Sequence, residues 1–167
     1  MDFKNPIWVV GEVKERPLFI EFTRRLAEVV EQTQEGDQVT VIINSSGGET
    51  RTALAIYDLL AACKRHTVGV VAGRAESCAS LILQACQRRT MTKNSSLMLH
   101  RSDVTVSGNV ANAQAALDVF RGLDEKFYAI YADRSGSNLD AIEDMAHRDL
   151  HFSAREALTA GLVDEII

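Results

Sequence analysis

The chain is poor in the residues that would staple it, stiffen it or anchor it. Its 167 residues include three cysteines, two prolines and one tryptophan. Cys63, Cys78 and Cys86 show no Cys-x-x-Cys spacing and fall on apolar helical patterns, which reads as free buried thiols rather than a disulfide frame or a zinc site. No His, Cys and Asp cluster has metal-ligand spacing, so the expected chemistry needs no metal and no cofactor. No stretch approaches the roughly 18 apolar residues of a membrane helix, and Met1–Pro6 is polar, without the apolar heart of a signal peptide. The expected location is the cytoplasm, with no membrane partner. An excess of cations is missing too, because the formal net charge is −5. The basic pairs Arg24–Arg25, Lys64–Arg65 and Arg88–Arg89 are short and scattered, which reads as solvated surface and argues against a nucleic-acid partner. Scarce proline and an ordinary apolar fraction exclude a disordered chain and fit one domain over residues 1–167.

What is present is alternation between two hydrophobic periods. Ile7–Val10 is a short apolar run ending at Gly11. Pro17 opens a helix in which Phe19, Phe22, Leu26 and Val29 recur at three- and four-residue spacing. After the Gly36–Asp37 turn, Val39–Ile43 is β-branched and does not alternate, the mark of a strand covered on both faces. Asn44–Gly48 breaks that pattern. Ala53, Ile56, Leu60 and Cys63 define a second helix, and Thr67–Ala72 a second buried strand closed by Gly73. Cys78, Leu81, Ile82 and Ala85 define a third helix, and Leu97–Leu99 a short strand ending at His100. Strands alternating with helices predict a parallel sheet with helical crossovers, an α/β architecture. Sites in such sheets form where strand ends meet helix starts, and the Asn44–Gly48, Gly73–Ser77 and His100 positions are all strand ends. A long helix then runs from Val110 almost to Gly136 and is expected to project and bury its stripe against another copy. A short helix at Ser153–Ala160, with Ser153 and Glu156 in capping-box spacing, and a strand at Leu162–Ile167 close the chain.

Ser77 falls at a strand-to-helix turn, where the segment alone reads first as a helix N-cap; the alternative is a nucleophile beside main-chain N–H groups that can hold an oxyanion. Gly47–Gly48 could bring a second such donor close to a substrate carbonyl, and equally marks a plain turn. Of the four histidines, His66 reads as surface, and His147 and His151 as members of a charged loop around Asp149. His100 follows an apolar strand that can hold it rigidly. Asp103, Asp133, Asp140, Asp144, Asp149 and Asp164 are all candidate acids, and spacing does not rank them.

Five segments in order carry a resemblance to the Clp protease (ClpP) family. Ile43-Asn44-Ser45-Ser46-Gly47-Gly48 resembles its Ile-Asn-Ser-Pro-Gly-Gly, and Gly73-Arg74-Ala75-Glu76-Ser77-Cys78-Ala79-Ser80 its Gly-x-Ala-x-Ser-Met-Ala. Leu97-Met98-Leu99-His100 is similar to its Met-Ile-His, Arg148–Ala154 to its Arg-Asp-x-Phe-Met-Ser-Ala, and Gly161–Ile166 to its Gly-Leu-Ile-Asp. The resemblance spans Ile7–Ile167. It implies a ClpP/crotonase-like fold of repeated β-β-α units with a protruding handle helix. It implies Ser77 as nucleophile, His100 as base, Asp149 as orienting acid, and the backbone N–H groups of Gly48 and Cys78 as oxyanion donors. The implied activity is cleavage of peptides or unfolded proteins inside a homo-oligomeric chamber of stacked heptameric rings.

The sequence departs from the family pattern at named places. Ser46 stands for proline, Cys78 for methionine, and His100-Arg101-Ser102-Asp103 lacks the family's Gln-Pro. The chain starts almost at its first strand, so the segment lining the family's axial pore is expected to be absent, which leaves an AAA+ unfoldase partner open. Two other classes compete: a non-catalytic ring subunit, and an enoyl-CoA hydratase/isomerase relative holding a thioester enolate on backbone donors.

Overall fold

The computed structural model describes residues 5–14, 17–34 and 36–167. The elements are β1 (Ile7–Val13), α1 (Pro17–Gln32), β2 (Gln38–Gly48), α2 (Thr50–Ala61), β3 (His66–Glu76), α3 (Cys78–Gln84), β4 (Arg88–Met91), β5 (Ser96–Leu99), α4 (Val110–Ser135), α5 (Leu139–His147), β6 (Leu150–Ser153), α6 (Ala154–Thr159) and β7 (Glu165–Ile166). The sheet runs β1-β2-β3-β4-β7 with parallel neighbours throughout, and β5 and β6 branch from it. This is the α/β architecture that the alternating periods predict.

The branch positions the site. β3 is long enough to serve two neighbours. Val68–Val71 pair with β4, while Arg74–Glu76 pair with β5 farther along. Gly73, at φ +116, makes the step between them, and a β-carbon there would sit 2.6 Å from the Asn44 side-chain oxygen. β6 then runs antiparallel to β5, with Leu99 opposite Leu150. Strand ends from three distant stretches of sequence therefore meet at one edge.

Helices α1, α2 and α3 seal one face of the sheet. Phe22, Leu26 and Val29 of α1 and Ala53, Ile56 and Leu60 of α2 enter a single core with Val39, Val41 and Ile43 of β2. Ile42, Val68 and Val70 are buried on the other face. β2 is thus covered on both sides, as its unbroken apolar run predicts. Burying one such side chain contributes about 1.5–3 kcal/mol.

Several elements differ from the sequence expectation. β2 continues through Asn44–Gly48, and β3 through Gly73 to Glu76, because parallel pairing with β1 and β5 holds both segments extended. β4 is a strand despite its two arginines. Arg89 is 5% exposed: its guanidinium meets Asp164, the Gln84 side-chain oxygen at 2.6 Å and the Arg134 carbonyl at 3.0 Å. The expectation of a solvated pair therefore fails for Arg89. His147 ends α5 and His151 lies in β6, so neither is in a loop. The closing strand shrinks to Glu165–Ile166, since Leu162 and Val163 are buried and pack beside α6 before the ladder starts. The capping box of α6 is present, Ser153 and Glu156 bonding reciprocally.

The long helix is α4. Its 26 residues bury only Phe127, Tyr128 and Tyr131, all in the second half. In the first half Val110 is 87% and Leu117 42% exposed. Gly136, at φ +74, closes the helix as its left-handed cap. Among the described residues, no helix is long and apolar enough to cross a membrane.

Candidate active site

The turn from β3 into α3 is strained at one residue. Ser77 has φ 54 and ψ −131, outside the regions a non-glycine residue ordinarily occupies. Such a conformation costs about 1–3 kcal/mol and persists where the surroundings over-determine it. Here they do. The Ser77 amide donates to the Met98 carbonyl at 2.9 Å, and the Ser80 hydroxyl donates to the Ser77 carbonyl at 2.6 Å. Ser80 also meets the buried Tyr131 hydroxyl at 2.6 Å, which ties the turn to α4.

The Ser77 side chain makes no capping bond to α3. Its hydroxyl lies 2.7 Å from His100 Nε2 instead. The hydroxyl donates when Nε2 is the unprotonated nitrogen, the arrangement of a nucleophile and its base. His100 is the first residue after β5, so the Glu76–Met98 pairing of β3 and β5 fixes the separation through backbone. The two residues are 23 positions apart in sequence and are joined by one strand ladder.

Gly47 and Gly48 lie against this turn. A β-carbon on Gly47 would sit 2.6 Å from the Glu76 carbonyl oxygen, 2.8 Å from Ser77 Cβ and 3.2 Å from the Cys78 nitrogen. One on Gly48 would sit 2.4 Å from the Val13 carbonyl oxygen. Only main chain fits between β1 and the serine turn. Ser45 supports the glycines: its hydroxyl donates to the Gly11 carbonyl and accepts from the Gly47 amide at 3.1 Å. The Cys78 thiol is buried beside the Gly48 amide, with its sulfur 3.9 Å from the Glu49 carbonyl oxygen. Burial pushes this thiol up to about 12, against the smaller opposing pull of the Gly48 amide, so it stays protonated.

The acid side is looser. The β5–β6 ladder ends at the Leu99–Leu150 pair, and His100 and Asp149 are the residues that flank this last pair. Asp149 is exposed, with φ 50, and makes no hydrogen bond or ion pair to His100 among the described residues. The carboxylate nearest His100 Nδ1 is Asp103, at 3.9 Å. The site residues therefore come together unequally: Ser77, His100, Gly48 and Cys78 converge, and Asp149 is a backbone neighbour without a side-chain bond. His66, His147 and His151 are exposed and take no part.

A cavity of about 560 Å³ opens over Ser77 and His100. Phe120, Leu123 and Phe127 of α4 form an apolar wall, and Glu49 and Arg51 at the start of α2 a polar one. Burial raises the Glu49 carboxyl, but hydrogen bonds from Thr52 and Arg51 outweigh it and hold the carboxyl below the usual range. Glu49 caps α2, its carboxylate accepting from the Arg51 and Thr52 amides, and so is not a free acid–base group. The share of α4 in the cavity was missed by sequence reasoning, although Phe120, Leu123 and Phe127 stand on the helix's periodic stripe. Among the described residues, no group of three or more His, Cys, Asp or Glu could hold a metal ion.

A family model described as Clp protease matches residues 7–167, nearly the whole chain. The chain belongs to the Clp protease family. Two curated relatives, each an ATP-dependent Clp protease proteolytic subunit from a strain of Bacteroides fragilis, are 27% identical over 140 residues. The aligned stretch is 83% of this chain and 68% and 64% of those two proteins. Membership of the Clp protease family makes this a ClpP-like serine peptidase at the family level and agrees with the mixed α/β sheet. Three of the five family segments named from sequence reach the cavity, through Gly48, Ser77 and His100.

Proposed function

We propose that this chain is a serine endopeptidase that cleaves peptides or unfolded proteins through an acyl-enzyme. The 2.7 Å contact between the Ser77 hydroxyl and His100 Nε2, held on a strained strand-to-helix turn, carries the reading. Ser77 Oγ attacks the scissile carbonyl carbon while its proton passes to His100 Nε2. Asp149, beside His100 across the β5–β6 ladder, closes on Nδ1–H and stabilises the imidazolium. The carbonyl oxygen, now an oxyanion, accepts from the Gly48 and Cys78 amides, each contributing about 3 kcal/mol to lowering the barrier. The C–N bond breaks as the imidazolium gives its proton to the leaving amine. Water then attacks the ester carbon, its proton passing to Nε2. Collapse releases the carboxylic acid and returns the proton to Ser77 Oγ.

The exposed apolar turns at the start of α4 support assembly with further copies of this chain, in heptameric and stacked rings that enclose the cavity. Work in the cytoplasm, either alone on peptides or with an AAA+ unfoldase delivering substrate, completes the proposal. A non-catalytic ring subunit is favoured by one observation, the missing side-chain bond between Asp149 and His100.

A fluorophosphonate separates these readings. It should modify Ser77 in the native protein, as located by peptide mass, and fail with Ser77→Ala and His100→Ala. Absence of labelling in a folded native chain would remove the peptidase reading.

A further inference from the structure

We propose that Asp103 is a positioning residue for His100, sharing imidazole Nδ1 with Asp149. The inference rests on the Ser77–His100 reading above and adds an acid to it. Asp103 Oδ2 lies 3.9 Å from His100 Nδ1, about 1 Å beyond a hydrogen bond. Its side chain is 99% exposed and makes no other hydrogen bond or ion pair among the described residues. A small side-chain rotation is free to close the gap.

The segment carrying Asp103 is not free. The Ser102 hydroxyl donates to the Asp124 carboxylate of α4 at 2.5 Å. The Arg101 guanidinium lies beside the Tyr128 hydroxyl on the same helix. Both ties fall between His100 and Asp103, and they hold the short stretch that joins the two residues against α4. The other charged and titratable groups around the ring are engaged or remote. Glu49 caps α2, Asp124 accepts from Ser102, Tyr131 meets Ser80, and His151 stands opposite Met98. Arg51 lines the cavity from the start of α2 and makes no hydrogen bond or ion pair to His100 among the described residues. Asp149 alone competes, from across the ladder.

A carboxylate accepting Nδ1–H holds the imidazole in the tautomer that leaves Nε2 bare toward Ser77. An acid three residues after the histidine does this from the histidine's own segment. It therefore orients the ring even while Asp149 is turned away. Because Asp103 sits in water, its hold is modest and screened by salt.

The test uses the full chain, with Ser77 labelling by a fluorophosphonate followed by intact mass and the His100 ring observed by 15N NMR under mildly alkaline conditions. Asp103→Asn should slow labelling about fivefold at low salt, the effect of one charge on another about 4 Å away in water, and the deficit should vanish in concentrated salt. Asp103→Glu should restore the rate. Asp149→Asn should retain labelling that the double Asp103→Asn/Asp149→Asn variant loses. The ring nitrogens of Asp103→Asn should show the population with Nε2 protonated rising. Equal rates for native and Asp103→Asn at low salt, with unchanged ring spectra, would overturn the proposal. A folded native chain that resists labelling, while its ring spectrum still responds to Asp103→Asn, keeps the Asp103–His100 pair and removes the peptidase reading instead.

Discussion

The serine side of the candidate site and its carboxylate side are built to different standards. Ser77 is gripped by main chain: its amide by Met98, its carbonyl by Ser80, its flank by Gly47. The carboxylates near His100 lie on exposed chain, and neither forms a closed hydrogen bond to the ring. A strained, costly conformation sits where the core can hold it, whereas the acid has been left to elements at the surface. The Ser77–His100 contact is therefore a property of the single folded chain. Orientation of the imidazole depends on what surrounds it.

Substitutions can break that contrast. The largest effect is expected from Gly47→Ala, whose new methyl would meet Glu76 and Ser77 backbone and side chain at under 3 Å in a positive-φ conformation. Displacing the serine by about 1 Å should slow its labelling about 100-fold, with a lowered melting temperature by calorimetry. An unchanged rate would mean that the glycine pair does not shape the turn. Next comes Asp149→Asn, expected to cost about 10- to 100-fold in labelling rate. That is well short of the roughly 10⁴-fold loss when a sole orienting acid is replaced in the serine-protease template. A full 10⁴-fold loss would show the acid side to be as fixed as the nucleophile side.

A smaller effect is expected at the β4–β7 end. Partial burial raises the Asp164 carboxyl, and the hydrogen bonds and charge of Arg89 outweigh it and hold the carboxyl below its ordinary value. A depressed carboxyl stabilises the fold above its unfolded-state value, and that stability is lost as pH falls through the depressed folded value. Asp164→Asn should cost about 1–2 kcal/mol at neutral pH, discounted for the carboxylate's partial exposure. The gap to the native protein should narrow in acid urea titrations; a constant gap across pH would contradict the pairing. The smallest effect on the fold belongs to Leu117→Arg. At 42% exposure the side chain packs little within its own chain, so melting should move by less than about 2 °C. Light scattering should nevertheless report smaller assemblies, and unchanged assemblies would remove α4's outer turns from the interface.

Legibility in the sequence follows the same division. Elements whose side chains repeat against one core were readable: α1, α2 and β2 carry their burial in their spacing, whereas the stripe of α4 shows its existence and length but not that only Phe127, Tyr128 and Tyr131 are buried. β4 was not, because Arg88-Arg89-Thr90-Met91 looks solvated until Asp164, 75 residues later, neutralises Arg89. α5 and β6 hid in a charged stretch where Ile142, Ala146 and Phe152 are the buried residues. At the site, Ser77 and His100 were nameable from the family segments. Their 2.7 Å contact was not, since it depends on β3 and β5 sharing a ladder. Asp103 remained one acid among six because nothing local says which way an exposed carboxylate turns.

One helix is attached to both halves of the candidate site. Tyr131 holds the serine turn through Ser80, while one to two turns earlier Tyr128 and Asp124 hold the segment that follows the histidine. α4 is thus a lever with two fastenings inside and a free arm outside, and its bare turns from Val110 to Leu117 form the arm. A load on that arm would therefore be borne by the same contacts that hold the serine turn and the stretch after His100.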